Sequence, residues 1–107
     1  MQRWGKIQEL IPMFDVNKND ILTRAIRYNL IRGGRLVYID VHETLYGTLA
    51  GRFVAVPNLV NIVAKSQYQG TGDTEEAALN DCLGKIRDVQ IQDLFPERSP
   101  MAEGGKQ

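Results

Sequence analysis

The chain has 107 residues, of which 43% are hydrophobic and 24% are charged, and its formal net charge is zero. This size and composition predict one α+β domain over residues 1–97, followed by a disordered tail over 98–107. No apolar run approaches the roughly 20 residues that cross a bilayer, and the start lacks the apolar segment of a secretory signal. The single cysteine, Cys82, cannot form an internal disulfide. We therefore predict a cytoplasmic protein that does not associate with a membrane.

Two helices are predicted in the first third of the chain. Residues 2–11 place apolar side chains on one side of a short helix, which Pro12 would end. A second helix is predicted over about 18–32, with asparagines to cap its start and the pair Gly33 and Gly34 to end it. Its apolar stripe, which repeats every four residues, consists of Leu22, Ile26 and Leu30.

Three strands follow, because from Leu36 the apolar residues alternate with a period of two. We predict the strands in RLVYIDVHETL (35–45), RFVAVP (52–57) and VNIVAKSQYQ (60–69). The turns between them are short, and parallel strands need long crossovers, so the strands should form an antiparallel meander.

A third helix is predicted to begin in QYQGTGDTEEAALNDC (67–82). Gly72 would let the strand turn, Asp73 would cap the helix, and Glu76 three residues later has the spacing of a capping box. The segment after this helix should pack back as an extended stretch and one helical turn, anchored by Ile91, Leu94 and Phe95. The predicted order is α-α-β-β-β-α, with the helices on one face of a three-stranded antiparallel sheet.

Two segments resemble ligand loops but lack the residues that such loops need. GTGDTE (70–75) has Glu75 where a dinucleotide fingerprint needs its third glycine, and its acids would repel a phosphate. DVNKND (15–20) opens like a calcium loop, but Asp20 and Ile26 stand where that loop needs glycine and a bidentate glutamate. We predict neither a cofactor nor a metal site.

The alternating strand at 35–45 places Tyr38, Asp40 and His42 on one face of the sheet. A carboxylate beside an imidazole could transfer protons, but the row offers neither a nucleophile nor an oxyanion donor. We therefore predict no catalytic residues, and we interpret the row as part of an interaction surface.

Four arginines lie within twelve residues with no acid between them, namely Arg24, Arg27, Arg32 and Arg35. On the predicted helix, Arg24 and Arg27 would share one face, so the cluster could contact phosphates. Alternatively, these arginines solvate the helix and complement the negative end of its dipole.

The segments GRFVAVPNL and GDTEEAALNDCLGKI resemble the β-β-β-α core of HicB-type antitoxin domains over about residues 36–87. The resemblance implies a partial RNase H-like fold that oligomerises and binds a protein partner without catalysis. The order α-β-β-β-α is also similar to the double-stranded-RNA-binding fold. In that family lysines open the last helix, whereas Thr74, Glu75 and Glu76 stand here.

From these features we predict a small non-enzymatic domain for protein interaction or regulation. A short meander leaves a sheet edge open, and open edges are usually paired or covered, so we expect a homo-oligomer or another protein partner. The alternative is a nucleic-acid-binding module that uses the four arginines, although the net charge of zero does not favour it.

Overall fold

The computed structural model describes residues 14–49 and 52–97. Four strands form one antiparallel sheet in the order β1-β2-β3-β4, and a helix follows. The elements are β1 (Leu22–Arg32), β2 (Arg35–Tyr46), β3 (Phe53–Asn58), β4 (Gly70–Gly72) and α1 (Glu75–Lys85), with 3-10 turns at Ser66–Tyr68 and Ile91–Leu94. The α+β class and the meander are confirmed, but the described order is β-β-β-β-α rather than α-α-β-β-β-α.

The predicted helix over about 18–32 is wrong, because strand β1 occupies most of this segment. A repeat of four residues is close to one helical turn and equals two strand periods, so the stripe of Leu22, Ile26 and Leu30 fits both structures. Gly33 and Gly34 do not end a helix. Their φ angles of 58° and 78° form the two-residue turn that joins β1 to β2.

The two strands predicted at 35–45 and 52–57 are confirmed as β2 and β3. In β2, Val37, Ile39 and Val41 are buried and face α1, as the alternation predicts. β3 continues one residue past Pro57 to Asn58, and Ala55 pairs with Val41.

The third predicted strand, 60–69, is wrong. After β3 the Asn58 side chain accepts a hydrogen bond from the Val60 backbone at 3.0 Å, and Val60 adopts a φ of 77°. Such an Asx turn reverses the chain at once, so only one bridge, Asn58 to Val63, forms before the 3-10 turn. The remaining strand is the short β4, which pairs with the start of β3.

Helix α1 is confirmed, but its cap is Thr74 rather than Asp73. The Thr74 hydroxyl accepts a hydrogen bond from the Ala77 backbone at 3.0 Å, and Glu76 lies in the first turn. Gly72 belongs to β4, where a side chain would meet Ala77 and Ala78 of the helix. The predicted Asp73–Glu76 capping box is therefore replaced by a threonine cap one residue later.

The core lies between α1 and the helix-facing side of β2 and β3. Cys82 is fully buried there, and burial raises the pKa of its thiol to about 11, so it is an inert core residue. The single helical turn predicted after α1 is confirmed as the 3-10 turn Ile91–Leu94, which we call the closing turn, and its anchors Ile91, Leu94 and Phe95 are buried. No helix of the described ranges is long and apolar enough to cross a membrane. The predicted helix over 2–11 and the tail over 98–107 lie outside the described residues.

Candidate interaction surface

One face of the sheet packs against α1, and Tyr38, Asp40 and His42 lie on the opposite face, which we call the open face. Their alternation with the buried residues of β2 places them there, as the sequence predicts. The strand register adds neighbours from β1 and β3 on the same face, among them Arg27, which pairs with Asp40, and Asn58, which pairs with Tyr38.

Asp40 is the centre of a polar cluster on the open face. Arg27 donates to its carboxylate through Nε at 2.8 Å and Nη2 at 3.0 Å, and Asn58 donates through Nδ2 at 3.0 Å. The hydrogen bonds from Arg27, with help from Asn58, hold the pKa of Asp40 below its usual value. The Arg27 guanidinium also lies 4.2 Å from the centre of the Tyr38 ring, within cation–π range. Asp40 is thus a fixed, ionised acceptor.

His42 has a different partner. Its Nδ1 lies 2.9 Å from the hydroxyl of Thr23 on β1. Among the described residues, the hydrogen bonds of the Asp40 carboxylate come from Arg27 and Asn58, not from His42. Asp40 and His42 therefore share a face but do not form a hydrogen-bonded pair, and the Thr23–His42 contact joins β1 to β2.

The structure separates Arg24 and Arg27, which the sequence placed on one helical face. Residues three apart in a strand point to opposite faces, so Arg24 lies on the α1 side while Arg27 lies on the open face. Arg24 forms a salt bridge with Glu43, and that contact holds the pKa of Glu43 below its usual value. Arg27 is occupied by Asp40. The expected shared patch is absent at these two positions.

Arg32 and Arg35 flank the glycine turn at the far end of the same hairpin. Arg32 donates through Nη1 to the backbone carbonyls of Ile86, the C-cap of α1, at 2.8 Å and of Val89, three residues further on, at 2.6 Å. Arg35 donates to the side chain of Gln92 at 3.0 Å. Arg24 and Arg32 are eight strand positions apart, roughly 26 Å along β1. The four arginines therefore form no single patch.

β1 is an edge strand, since it pairs with β2 on one side and, within the described ranges, with no strand on the other. Ile26 lies at its middle and is 46% exposed, although the sequence placed it on a buried stripe. On the α1 side it borders a cleft of about 240 Å³ that also involves Arg24, Val41, Glu43, Phe53 and Glu75. Two further exposed apolar residues, Ile31 and Leu36, pair across the hairpin. Ile26, Ile31 and Leu36 thus expose apolar surface on this hairpin, and a second exposed apolar group, Leu59, Val60 and Val63, follows β3.

No group of three or more His, Cys, Asp or Glu side chains that could hold a metal ion occurs in the described part of the chain. β2, β3, β4 and α1 follow one another in the order β-β-β-α. The segment aligned with the first helix of the double-stranded-RNA-binding fold is strand β1. Comparison of the chain with protein-family models, curated proteins and solved structures returns no significant match, so membership of a family stays a prediction.

Proposed function

We propose that this chain is a non-enzymatic protein-interaction domain that forms a homodimer, in which β1 pairs antiparallel with β1 of a second copy. The observation that carries the proposal is an eleven-residue edge strand with an exposed isoleucine, Ile26, at its middle. A long edge presents a row of backbone donors and acceptors, which another strand can satisfy. The free thiol of Cys82 fits a reducing compartment, and we place the domain in the cytoplasm.

The hairpin geometry determines which backbone groups of β1 are available. The residues that flank a two-residue turn, Arg32 and Arg35, form a hydrogen-bonded pair. Because such pairs alternate with non-bonded ones along an antiparallel ladder, the even-numbered residues of β1 bond to β2. The odd-numbered residues, from Thr23 to Ile31, therefore direct their N–H and C=O groups to the outer edge.

A register centred on Ile26 is the favourable one for two copies of β1. It places the two Ile26 side chains opposite each other in a non-bonded pair, where side chains approach most closely. It also places Arg27 opposite Ala25 of the second copy, whereas a register centred on Arg27 would oppose two like charges. Since α1 packs mainly against β3 and β4, the α1 side of β1 has room for the facing isoleucines.

A disulfide-trapping experiment tests this dimer. We expect Ile26→Cys to form a cross-linked dimer under mild oxidation, because its partner in the second copy lies directly opposite. Ile31→Cys is the matched control. Ile31 is on the same strand and is 69% exposed, more than Ile26. In the proposed register, however, the two copies of residue 31 lie roughly 33 Å apart. Buried Cys82 should not react.

Non-reducing gel electrophoresis at micromolar protein distinguishes the outcomes. A dimer band for Ile26→Cys and a monomer band for Ile31→Cys support the proposed pairing. A monomer band for Ile26→Cys, or equal cross-linking of both variants, contradicts it.

The alternative, nucleic-acid binding through Arg24, Arg27, Arg32 and Arg35, has weaker support. Arg24 and Arg27 are already paired with carboxylates on opposite faces of β1. A phosphate backbone would have to displace these partners before it gained the counterion release that drives such binding. A protein-interaction role also agrees with the resemblance to HicB-type domains, which oligomerise and bind a protein partner.

A further inference from the structure

A cleft of about 470 Å³ lies between the glycine turn of the β1–β2 hairpin and residues 87–92, which follow α1. We call it the arginine cleft, because three arginines line it: Arg32, Arg35 and Arg87. Asp88 is the single acid among its described lining residues, so the cleft has an excess of two positive charges. The sequence could not indicate the cleft, because Arg87 is more than fifty residues from the other two arginines.

Arg32 is held in place by the helix it touches. Both of its hydrogen bonds to described residues come from Nη1, to the carbonyls of Ile86 at 2.8 Å and Val89 at 2.6 Å. Ile86 is the C-cap of α1, where a cation complements the helix dipole, and Val89 lies three residues beyond it. Nε and Nη2 donate to no described residue, so this guanidinium is fixed on one side and can donate from the other.

Arg35 is positioned by a chain of two amides. Its Nη1 donates to Oε1 of Gln92 at 3.0 Å, and Nε2 of Gln92 donates to Oε1 of Gln90 at 2.8 Å. Gln90 and Gln92 also line the cleft. The partly buried contacts of Arg32 orient its guanidinium before any ligand binds, which reduces the side-chain entropy that binding would otherwise remove, whereas the Arg35 contact lies at the exposed surface.

We infer that the arginine cleft binds the phosphate monoester group of a small molecule. Such a group carries a charge of about −1.5 to −2 at pH 7, which matches the excess charge of the cleft. Guanidinium groups bind phosphate oxygens through paired N–H donors. The volume lies within the roughly 300–1,000 Å³ of small-molecule sites, so the cleft can also hold part of the molecule that bears the phosphate. This inference does not depend on the proposed dimer.

The experiment is an NMR titration of the ¹⁵N-labelled full chain with phenyl phosphate, inorganic phosphate and acetate, all at constant ionic strength. We expect saturable amide shifts at Gly33, Gly34 and residues 87–92 with both phosphates. Acetate should bind at least tenfold more weakly than either phosphate. Absence of saturable shifts with 20 mM of either phosphate would overturn the inference, and so would acetate binding as tightly as phosphate.

Three variants locate the site. Arg35→Gln and Arg87→Gln should each weaken phenyl phosphate binding by about tenfold, because each removes charge-assisted hydrogen bonds. Arg52→Gln removes the same charge beside Glu43, roughly 26 Å along β2 from Arg35, and should leave the affinity within twofold. Arg32 is not substituted, since it also holds the end of α1. Equal weakening by all three variants would mean a diffuse charge effect and would contradict the inference.

Discussion

Asp40 links three strands through side chains alone. Its carboxylate accepts from Arg27 of β1 and Asn58 of β3, and Asp40 itself belongs to β2. Asn58 is 5% exposed and also accepts from the Val60 backbone, so the cluster continues into the turn that follows β3. Removing this one carboxylate should therefore loosen the open face and the turn together.

Replacing Asp40 with asparagine should lower the free energy of unfolding at pH 7 by about 1–2 kcal/mol, since hydrogen bonds to a charged group are lost. The direction of the Asp40 pKa shift determines how this contribution to stability changes with pH. The pKa of Asp40 in the folded chain lies below the unfolded value of about 3.9. Its contribution is therefore present above that value and is lost as the pH falls through the folded pKa.

Urea unfolding at pH 7 and pH 2.5 measures this difference. Asp40→Asn should differ from the wild type at pH 7 and approach it at pH 2.5. Asp93→Asn, which removes an exposed carboxylate from the closing turn, is the matched control and should change stability little at pH 7. An unchanged unfolding free energy for Asp40→Asn at pH 7 would contradict the role assigned to the cluster.

At the scale of the elements, close packing of α1 on β4 depends on Gly70, and Gly84 within α1 is the contrasting case. A Cβ atom at Gly70 would lie 2.3 Å from the Cys82 nitrogen and 2.4 Å from the Ala78 oxygen, both backbone atoms of the helix. A side chain there must push the helix away from the sheet. Gly84, inside α1, has no atom within 4 Å of such a Cβ.

The two glycines should therefore respond with opposite signs to the same substitution. Gly70→Ala should lower the free energy of unfolding by about 3 kcal/mol, since overpacking a core costs roughly 1–3 kcal/mol and backbone cannot yield as a side chain can. Gly84→Ala should raise it by about 0.5–1 kcal/mol, because alanine is the better helix former. Thermal and urea unfolding measure both, and destabilisation by Gly84→Ala would show that α1 is constrained there.

The elements that the sequence predicted correctly are those where one pattern had one interpretation. β2 alternates over its whole length, and α1 joins a helical stripe to acids in its first turn. β1 was missed because a spacing of four fits both a helix and a strand, and the Gly-Gly pair fits both a helix end and a hairpin turn. The alternation of β2 was enough to predict that Tyr38, Asp40 and His42 share a face. The contact of Arg27 with Asp40 could not be predicted, because it depends on the register of β1 against β2.

At the scale of the whole molecule, the two proposed surfaces occupy different parts of one hairpin. The dimer uses the outer edge of β1 around Ile26, whereas the arginine cleft lies at the Gly33–Gly34 turn. Arg32 lies six strand positions from Ile26, roughly 20 Å along the strand. A dimer centred on Ile26 would place the two copies of the cleft at opposite ends of the shared pair of strands.

Ala25→Pro tests the outer edge without breaking the sheet. If the odd-numbered residues of β1 face outward, proline at 25 removes an N–H that β2 does not use, and proline is tolerated on edge strands for this reason. We expect the variant to keep its circular dichroism spectrum and become a monomer by sedimentation velocity at concentrations where the wild type is a dimer. Ala25→Ser is the matched control, since it keeps the N–H, and it should remain dimeric. A dimeric Ala25→Pro variant would show that copies associate through another surface, and an unfolded one would show that the 25 N–H bonds to β2.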